Sequence, residues 1–424
     1  MWVVYELLLF VGLLLYLPRA VGRRRLPHAG WWMRVGRYPV SVRQRLQGRQ
    51  AIWVHAVSVG EVLAAQPLLH ALMQAYPQDS LVVSTITPGG FGVASNLLGD
   101  RGVPIYGPLD LRPCLAKAFE TLHPRILLLM ESELWPGMIR QATARGVPIV
   151  VVNGRISPRA FRRYQLARPW IAGMLRSVNL FLMQSQADAD RLLQLGAPRD
   201  AVRVTGSLKW DAGVSARPSA EAIRETAARL GLNGRQTVIV AGSTHRGEET
   251  LMLDAFQAVR ASCEDARLII APRHLERLDE IEHEVRRAGF KVTRVSDPPQ
   301  SAAWEVGLID RFGELPRYYG LATVVCIGGS FIPHGGQNPL EAASLGKPVL
   351  FGPSMHNFLE TAQQLLQHQA AWQVSKREDL APALQALIAD PAKRERMGRN
   401  AQDTIARCQG ATQRTLDLID PLLQ

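Results

Sequence analysis

From residue 51 onward, short apolar runs of strand length alternate with stretches of helical period, the pattern of βαβ units feeding a parallel sheet. One series comprises AIWVHAVS (51–58), LVVSTIT (81–87), VPIYG (103–107), RILLLM (125–130), VPIVVVN (147–153), NLFLMQS (179–185) and VRVTG (202–206). A second begins at TVIVAGS (237–243) and continues through RLIIAP (267–272), FKVTRVS (290–296), VGLID (306–310), TVVCIGG (323–329) and PVLFGP (348–353). Between them lies WDAGVSARPSAEA (210–222), a polar stretch with Pro and Gly that reads as a linker. At 424 residues the chain exceeds what one hydrophobic core organises. The expectation is two Rossmann-like, doubly wound α/β domains over 26–209 and 223–424, with the last helix packing back on the first. Ligands of such sheets bind beyond the carboxyl ends of the strands, so a cleft between the two domains is expected and chemistry is sought just after each apolar run.

The first seventeen residues, MWVVYELLLFVGLLLYL, are almost wholly apolar and are followed by Arg19 and by Arg23, Arg24 and Arg25. Positive residues after an apolar stretch, rather than before it, read as a membrane anchor with its flank (1–25), keeping the body on the cytoplasmic side. The stretch is short for a full span and contains Glu6, so a helix lying in the membrane interface fits as well. The formal net charge is +12, yet only six of the cations are lysines and aromatic residues make up 7%. An arginine-dominated surface suits forked contacts with carboxylate and phosphate, and it favours anionic lipid or acidic ligands over a nucleic-acid groove. Four widely spaced cysteines form no CxxC pair, which argues against thiolate metal sites.

HAVSVGE (55–61) follows the first strand and opens a helix, with Glu61 in its first turn. An acidic residue there is favoured by the helix dipole whatever its function. A general base at this position needs desolvation or acidic neighbours to offset the dipole. MESELWPG ends the fourth run at Glu131 and Glu133, which share a side if the strand persists. GSLKWD places Lys209 at the end of the first series. GSTHRGEE presents Ser243 and Thr244 at a strand-to-helix turn suited to phosphate, and APRH puts Pro272 and Arg273 at the next strand end. In GGSFIPHGGQNPLEAASLG, Asn338 as N-cap, Pro339 at N1 and Glu341 at N3 mark a helix start whose glycines exceed what a cap needs. Asp188-Ala189-Asp190 matches a metal-binding DxD pattern but sits where acidic residues suit a helix start, and no metal site is expected.

Taken together, HAVSVGE, MESELWPG, NGRIS, GSLKWD, GSTHRGEE, APRH and GGSFIPHGGQNPLEA stand in an order and spacing that resembles the transferases of 3-deoxy-D-manno-octulosonic acid (Kdo) in lipopolysaccharide assembly. The resemblance spans nearly the whole chain. It implies a GT-B fold, CMP-Kdo as donor, a lipid A precursor as acceptor, inversion at the anomeric carbon, no required metal or other cofactor, and work at the cytoplasmic leaflet of a bacterial inner membrane. It further implies Glu61 as base, Glu131 and Lys209 as groups stabilising the transition state, and CMP contacts at Pro272, Arg273, Gly313, Glu314, Leu315, Asn338, Pro339, Leu340 and Glu341, with Ser243 and Thr244 beside them. Arg155, Arg159, Arg162, Arg163 and Arg168, among Phe161, Tyr164 and Trp170, fit a phosphorylated lipid acceptor or simply a solvated basic helix. Two rival readings are a GT-B enzyme using a UDP-sugar, as lipid A disaccharide synthases do, and a basic scaffold for membrane or nucleic acid without catalysis.

Overall fold

The computed structural model describes residues 30–215, 217–297 and 304–424, together with Tyr5, Glu6, Leu9, Val11 and Gly12. The expected anchor over 1–25 otherwise lies outside the described residues. Among the described residues no helix is long and apolar enough to cross a membrane. The chain divides into two compact units, one running to Ala212 and including Gln409–Gln424, the other Gly213–Cys408.

The first unit is built on β1 (Ala51–His55), β2 (Ser80–Thr85), β3 (Gly102–Tyr106), β4 (Pro124–Met130), β5 (Ile149–Gly154), β6 (Leu180–Met183) and β7 (Val202–Val204). They form one sheet in the order β3-β2-β1-β4-β5-β6-β7, and every pairing is parallel. Helices cover both faces of such a sheet, which is why its strands read as continuous apolar runs rather than as an alternation. Ile52, Val54, Leu128 and Val150 pack on one face and Trp53, Leu127, Leu129 and Val151 on the other. Ala411, Ile419 and Leu423 of the carboxy-terminal helix Ala411–Leu423 join the face of Ile52 and Val54.

The second unit repeats the plan with β8 (Val238–Thr244), β9 (Arg267–Pro272), β10 (Val292–Arg294), β11 (Val306–Leu308), β12 (Val324–Ile327), β13 (Val349–Phe351) and β14 (Ala371–Gln373). Their order is β10-β11-β9-β8-β12-β13-β14, again parallel throughout. Chain direction across the sheet reverses between β1 and β4 in the first unit and between β8 and β12 in the second. These are the switch points at which open α/β sheets bind their ligands.

Two local features differ from the sequence reading. The stretch 210–222 contains more helix than its composition predicts, because helix Leu208–Ser215 runs into it and helix Ala220–Arg229 begins inside it. Within the first of these helices, Asp211 caps the last helix: its carboxylate accepts the backbone N–H groups of Gly410 at 2.8 Å and Thr412 at 2.7 Å. β4 ends at Met130, and Glu131 takes a left-handed φ of 51°, so strand alternation does not place Glu131 and Glu133.

Candidate active site

In the first unit, β1 leads into helix Val59–Ala75, whose N-cap is Ser58. Glu61 N–H donates to Ser58 Oγ at 3.3 Å. In return the Glu61 carboxylate accepts from Val57 N–H at 2.9 Å and from Ser58 Oγ at 3.1 Å. This reciprocal capping box fixes the side chain at the strand's carboxyl end. Such hydrogen bonds favour the ionised form, but burial outweighs them, and Glu133 and Glu131 add repulsion of like charge. The net effect lifts Glu61 to about 7. Desolvation and acidic neighbours, either of which offsets the dipole at this helix start, are both present.

Glu131 follows β4, the strand next to β1 across the switch point. Its Oε1 lies 3.0 Å from Nζ of Lys209, in the first turn of helix Leu208–Ser215, and both side chains are about one-fifth exposed. Glu133 is held by Trp135, whose Nε1 donates to its Oε2 at 2.7 Å, and burial raises its carboxyl above the ordinary range. The first unit thus gathers a carboxyl raised toward neutrality, an ion pair and a further carboxylate from widely separated motifs.

In the second unit, Ser243 sits in an irregularity of the β8–β9 register with a left-handed φ of 57°. Thr244 is fully buried, its hydroxyl donating to Glu249 Oε1 at 2.9 Å and its carbonyl accepting from Arg273 N–H at 2.9 Å. Pro272 ends β9 and is buried, whereas the Arg273 side chain is exposed. Gly313, at φ 84°, makes a turn that only glycine adopts freely. Glu314 and Leu315 then begin helix Leu315–Leu321. The Asn338 side chain accepts from Leu340 N–H at 3.0 Å, and the helix starts at Leu340, one residue later than the sequence suggests. Glu341 lies beside Asn338, and burial raises its carboxyl.

What ties these pieces together was not read from the sequence. Glu248, fully buried, accepts from three backbone N–H groups: His245 at 2.9 Å, Gly329 at 2.6 Å and Phe331 at 3.0 Å. It staples the turn after β8 to the glycine-rich loop after β12, the two segments flanking the switch point. Gly328 lets that loop lie on the backbone of Ser243, where a Cβ would collide with the Ser243 carbonyl. Tyr319, fully buried, stands against Gly242 and is an electrostatic neighbour of Glu341, joining the turn at 313–315 to the segment at 338–341. The residues of the second unit at which the family resemblance implies CMP contacts thus belong to one braced assembly. Asp188 braces the first unit instead, accepting from Ile156 N–H at 2.9 Å and pairing with Arg191 at 3.2 Å, in a helix capped by Ser185.

Residues 29–212 match the family described as 3-deoxy-D-manno-octulosonic-acid transferase (kdotransferase). Over 378 residues the chain is 32% identical to the 3-deoxy-D-manno-octulosonic acid transferase of Haemophilus influenzae, covering 88% of each protein. It is 36% identical over 384 residues to the enzyme of that name from Bordetella pertussis, covering 88% of this chain and 87% of the relative. UDP-GlcNAc 2-epimerase from Neisseria meningitidis, solved with UDP-GlcNAc, shares the fold, with a TM-score of 0.59 at 15% identity over 87% of this chain and 98% of that one. Identity above 30% with the two transferases over nearly the full length of both shows that the chain belongs to the 3-deoxy-D-manno-octulosonic acid transferase family of glycosyltransferases.

Proposed function

We propose that this glycosyltransferase moves Kdo from CMP-Kdo to a lipid A precursor, with inversion and release of CMP. The observation that carries the mechanism is Glu61, raised to about 7 at the end of β1, with the Lys209–Glu131 pair on the adjoining strand end. The acceptor sugar hydroxyl attacks the anomeric carbon while Glu61 takes its proton. The bond from that carbon to the CMP phosphate oxygen breaks, and CMP leaves with the bonding electrons. The charge growing on the leaving group and passing through the transition state calls for fixed cations and oriented N–H groups, for which Lys209, Arg273 and the turns at Ser243 and Asn338 are suited. Pro272, Gly313, Glu314, Leu315, Pro339, Leu340 and Glu341 frame the nucleotide, and Thr244 contributes its backbone, its hydroxyl being engaged by Glu249.

A phosphorylated, lipid-borne acceptor fits the neighbourhood of Glu131. Arg155 and Tyr164 line a small pocket with Glu131, and the following helix Pro158–Leu166 has no buried residue and turns Arg159, Arg162 and Arg163 outward. Leu166 at its end is 90% exposed. Arginines around an exposed apolar tip suit an anionic membrane surface. With the apolar segment 1–17 and its arginine flank, they support work at the cytoplasmic leaflet of the inner membrane.

The direct test is transfer of Kdo from CMP-Kdo to the tetraacylated lipid A precursor, with CMP and UDP as competitors. Inhibition by CMP and indifference to UDP is the expected result; absence of transfer, or stronger competition by UDP, defeats the proposal. Donor binding also tests the staple. Gln at position 248 has one acceptor oxygen for three N–H groups, so Glu248→Gln is expected to weaken CMP binding about tenfold, the effect of roughly one unmet buried hydrogen bond. Calorimetry with CMP reads this directly, and unchanged affinity would show that the staple serves stability alone.

A further inference from the structure

The last residues of β5 carry an unusual side chain. Asn153 is 1% exposed and has a left-handed φ of 57°. It lies where β5 departs from regular pairing with β6: Val151 pairs with Phe181 and Gly154 with Met183, so two residues of β5 stand opposite one of β6. Such bulges re-aim a side chain at a strand end and recur beside active sites. Left-handed non-glycine residues are held at a cost that the surroundings must offset. Here the offset is visible. Gln184 Nε2 donates to the Asn153 carbonyl at 2.8 Å, and Asn153 Oδ1 accepts from Leu208 N–H at 3.0 Å. Asn153 Nδ2 in turn donates to Glu131 Oε1 in a long contact of 3.5 Å.

One amide thus touches Glu131 and the backbone of the residue before Lys209. Its oxygen fixes the start of the helix whose next residue is Lys209, and its nitrogen faces the carboxylate oxygen that Lys209 approaches to 3.0 Å. We infer that Asn153 is the positioning residue that sets the Lys209–Glu131 pair at the base, so that its side chain governs the chemical step without touching substrate. The inference rests on the reading of Glu61 as base and of Lys209 as a transition-state contact. A capping role alone does not explain the nitrogen facing Glu131, since a serine or an aspartate also caps a helix start.

Asp and Gly at this position separate the possibilities. Asn153→Asp keeps the shape and the acceptor for Leu208 N–H but turns a donor into a carboxylate oxygen facing Glu131. Asn153→Gly tolerates the left-handed backbone and removes both side-chain bonds. The charged groups around Glu61 that bear on its titration are Glu131, Glu133 and, through Glu131, Lys209, with Tyr164 facing Glu133 and Arg155 lining the pocket beside Glu131.

The full chain is assayed for kcat, KM for CMP-Kdo and the pH profile of kcat/KM, alongside thermal unfolding. For Asn153→Asp the expected result is a fall in kcat of about 10²-fold, the scale of a small misplacement of catalytic groups. KM for CMP-Kdo stays within about twofold, because nucleotide binding is untouched. The acid limb moves to higher pH, because one more negative charge raises Glu61 further. Asn153→Gly lowers kcat as well, with a smaller displacement of the limb. If both variants unfold earlier but keep wild-type kcat and an unmoved limb, Asn153 is merely structural and the inference is overturned. Should the Asp variant fail to fold, the Gly variant decides alone by the same criteria. An acid limb that survives in Glu61→Gln defeats the base assignment, whereas the kcat of the Asn153 variants still reports on the placement of Lys209, so the two failures are distinguishable.

Discussion

Glu61→Gln is expected to lower kcat for Kdo transfer by about 10²- to 10⁴-fold, the range that general-base catalysis supplies, while CMP affinity and thermal stability change little. The mutation is mild structurally. Glu61 accepts from Val57 N–H and from Ser58 Oγ, and a glutamine serves the same capping box, its oxygen taking Val57 N–H and its amide turning toward Ser58 Oγ. Only the proton acceptor is lost. The pH profile gives the sign. A base acts when deprotonated, so wild-type kcat/KM rises as pH climbs through about 7, where burial and the two neighbouring carboxylates place Glu61. In Glu61→Gln that limb should be gone and the residual rate flat in this window. A mutant that retains most of its kcat, or keeps the same limb, would show that the proton goes elsewhere and that Glu61 is only a helix-start charge.

How much of this could be read from residue types depends on the range of the interaction. The strands of both sheets were legible because burial on two faces writes continuous apolar runs, and the helix start at Asn338 because capping residues sit within four positions of one another. Strand β14, over Ala371–Gln373, is no shorter than β7, β10, β11 or β13, but its Ala-Trp-Gln carries no β-branched residue and ends on a polar one, so it does not stand out as a run. Glu61, Glu131 and Lys209 were legible as charges near strand ends, and the structure brings Lys209 and Glu131 into an ion pair whose carboxylate also acts on Glu61. Asn153 and Glu248 were not found. Two of the three partners of Glu248 lie more than eighty residues away, at Gly329 and Phe331, and the partners of Asn153 lie 22, 31 and 55 residues away at Glu131, Gln184 and Leu208. A buried glutamate in GEE looks from the sequence like any acidic helix start. One signal is visible only in the backbone. Of the five left-handed non-glycine residues among the described residues, Glu131, Asn153 and Ser243 sit at strand ends in the two sites, while His123 and Gln369 merely follow helices.

Lys209→Met should lower kcat and kcat/KM together by about 10²- to 10³-fold, the loss that follows removal of one preorganised electrostatic contact to a developing charge. The same change strands Glu131, which loses the ammonium now 3.0 Å from its Oε1. An uncompensated carboxylate beside Glu61 raises the base further, so the acid limb of the profile should move above its wild-type position. Two effects are therefore folded into one mutant, and a second substitution separates them. Adding Glu131→Gln removes the stranded charge, and the limb should move back down. The rate at high pH, where Glu61 is ionised in every variant, should stay low if Lys209 acts on the transition state itself. Full recovery in the double mutant would mean that Lys209 does no more than neutralise Glu131. Lys209→Arg sharpens the distinction: it keeps the charge, and so the limb, but a planar fork in place of a compact ammonium should not restore the rate. A Lys209→Arg enzyme with wild-type kcat would show that charge at this position suffices and that the geometry of the ammonium does not enter the chemical step.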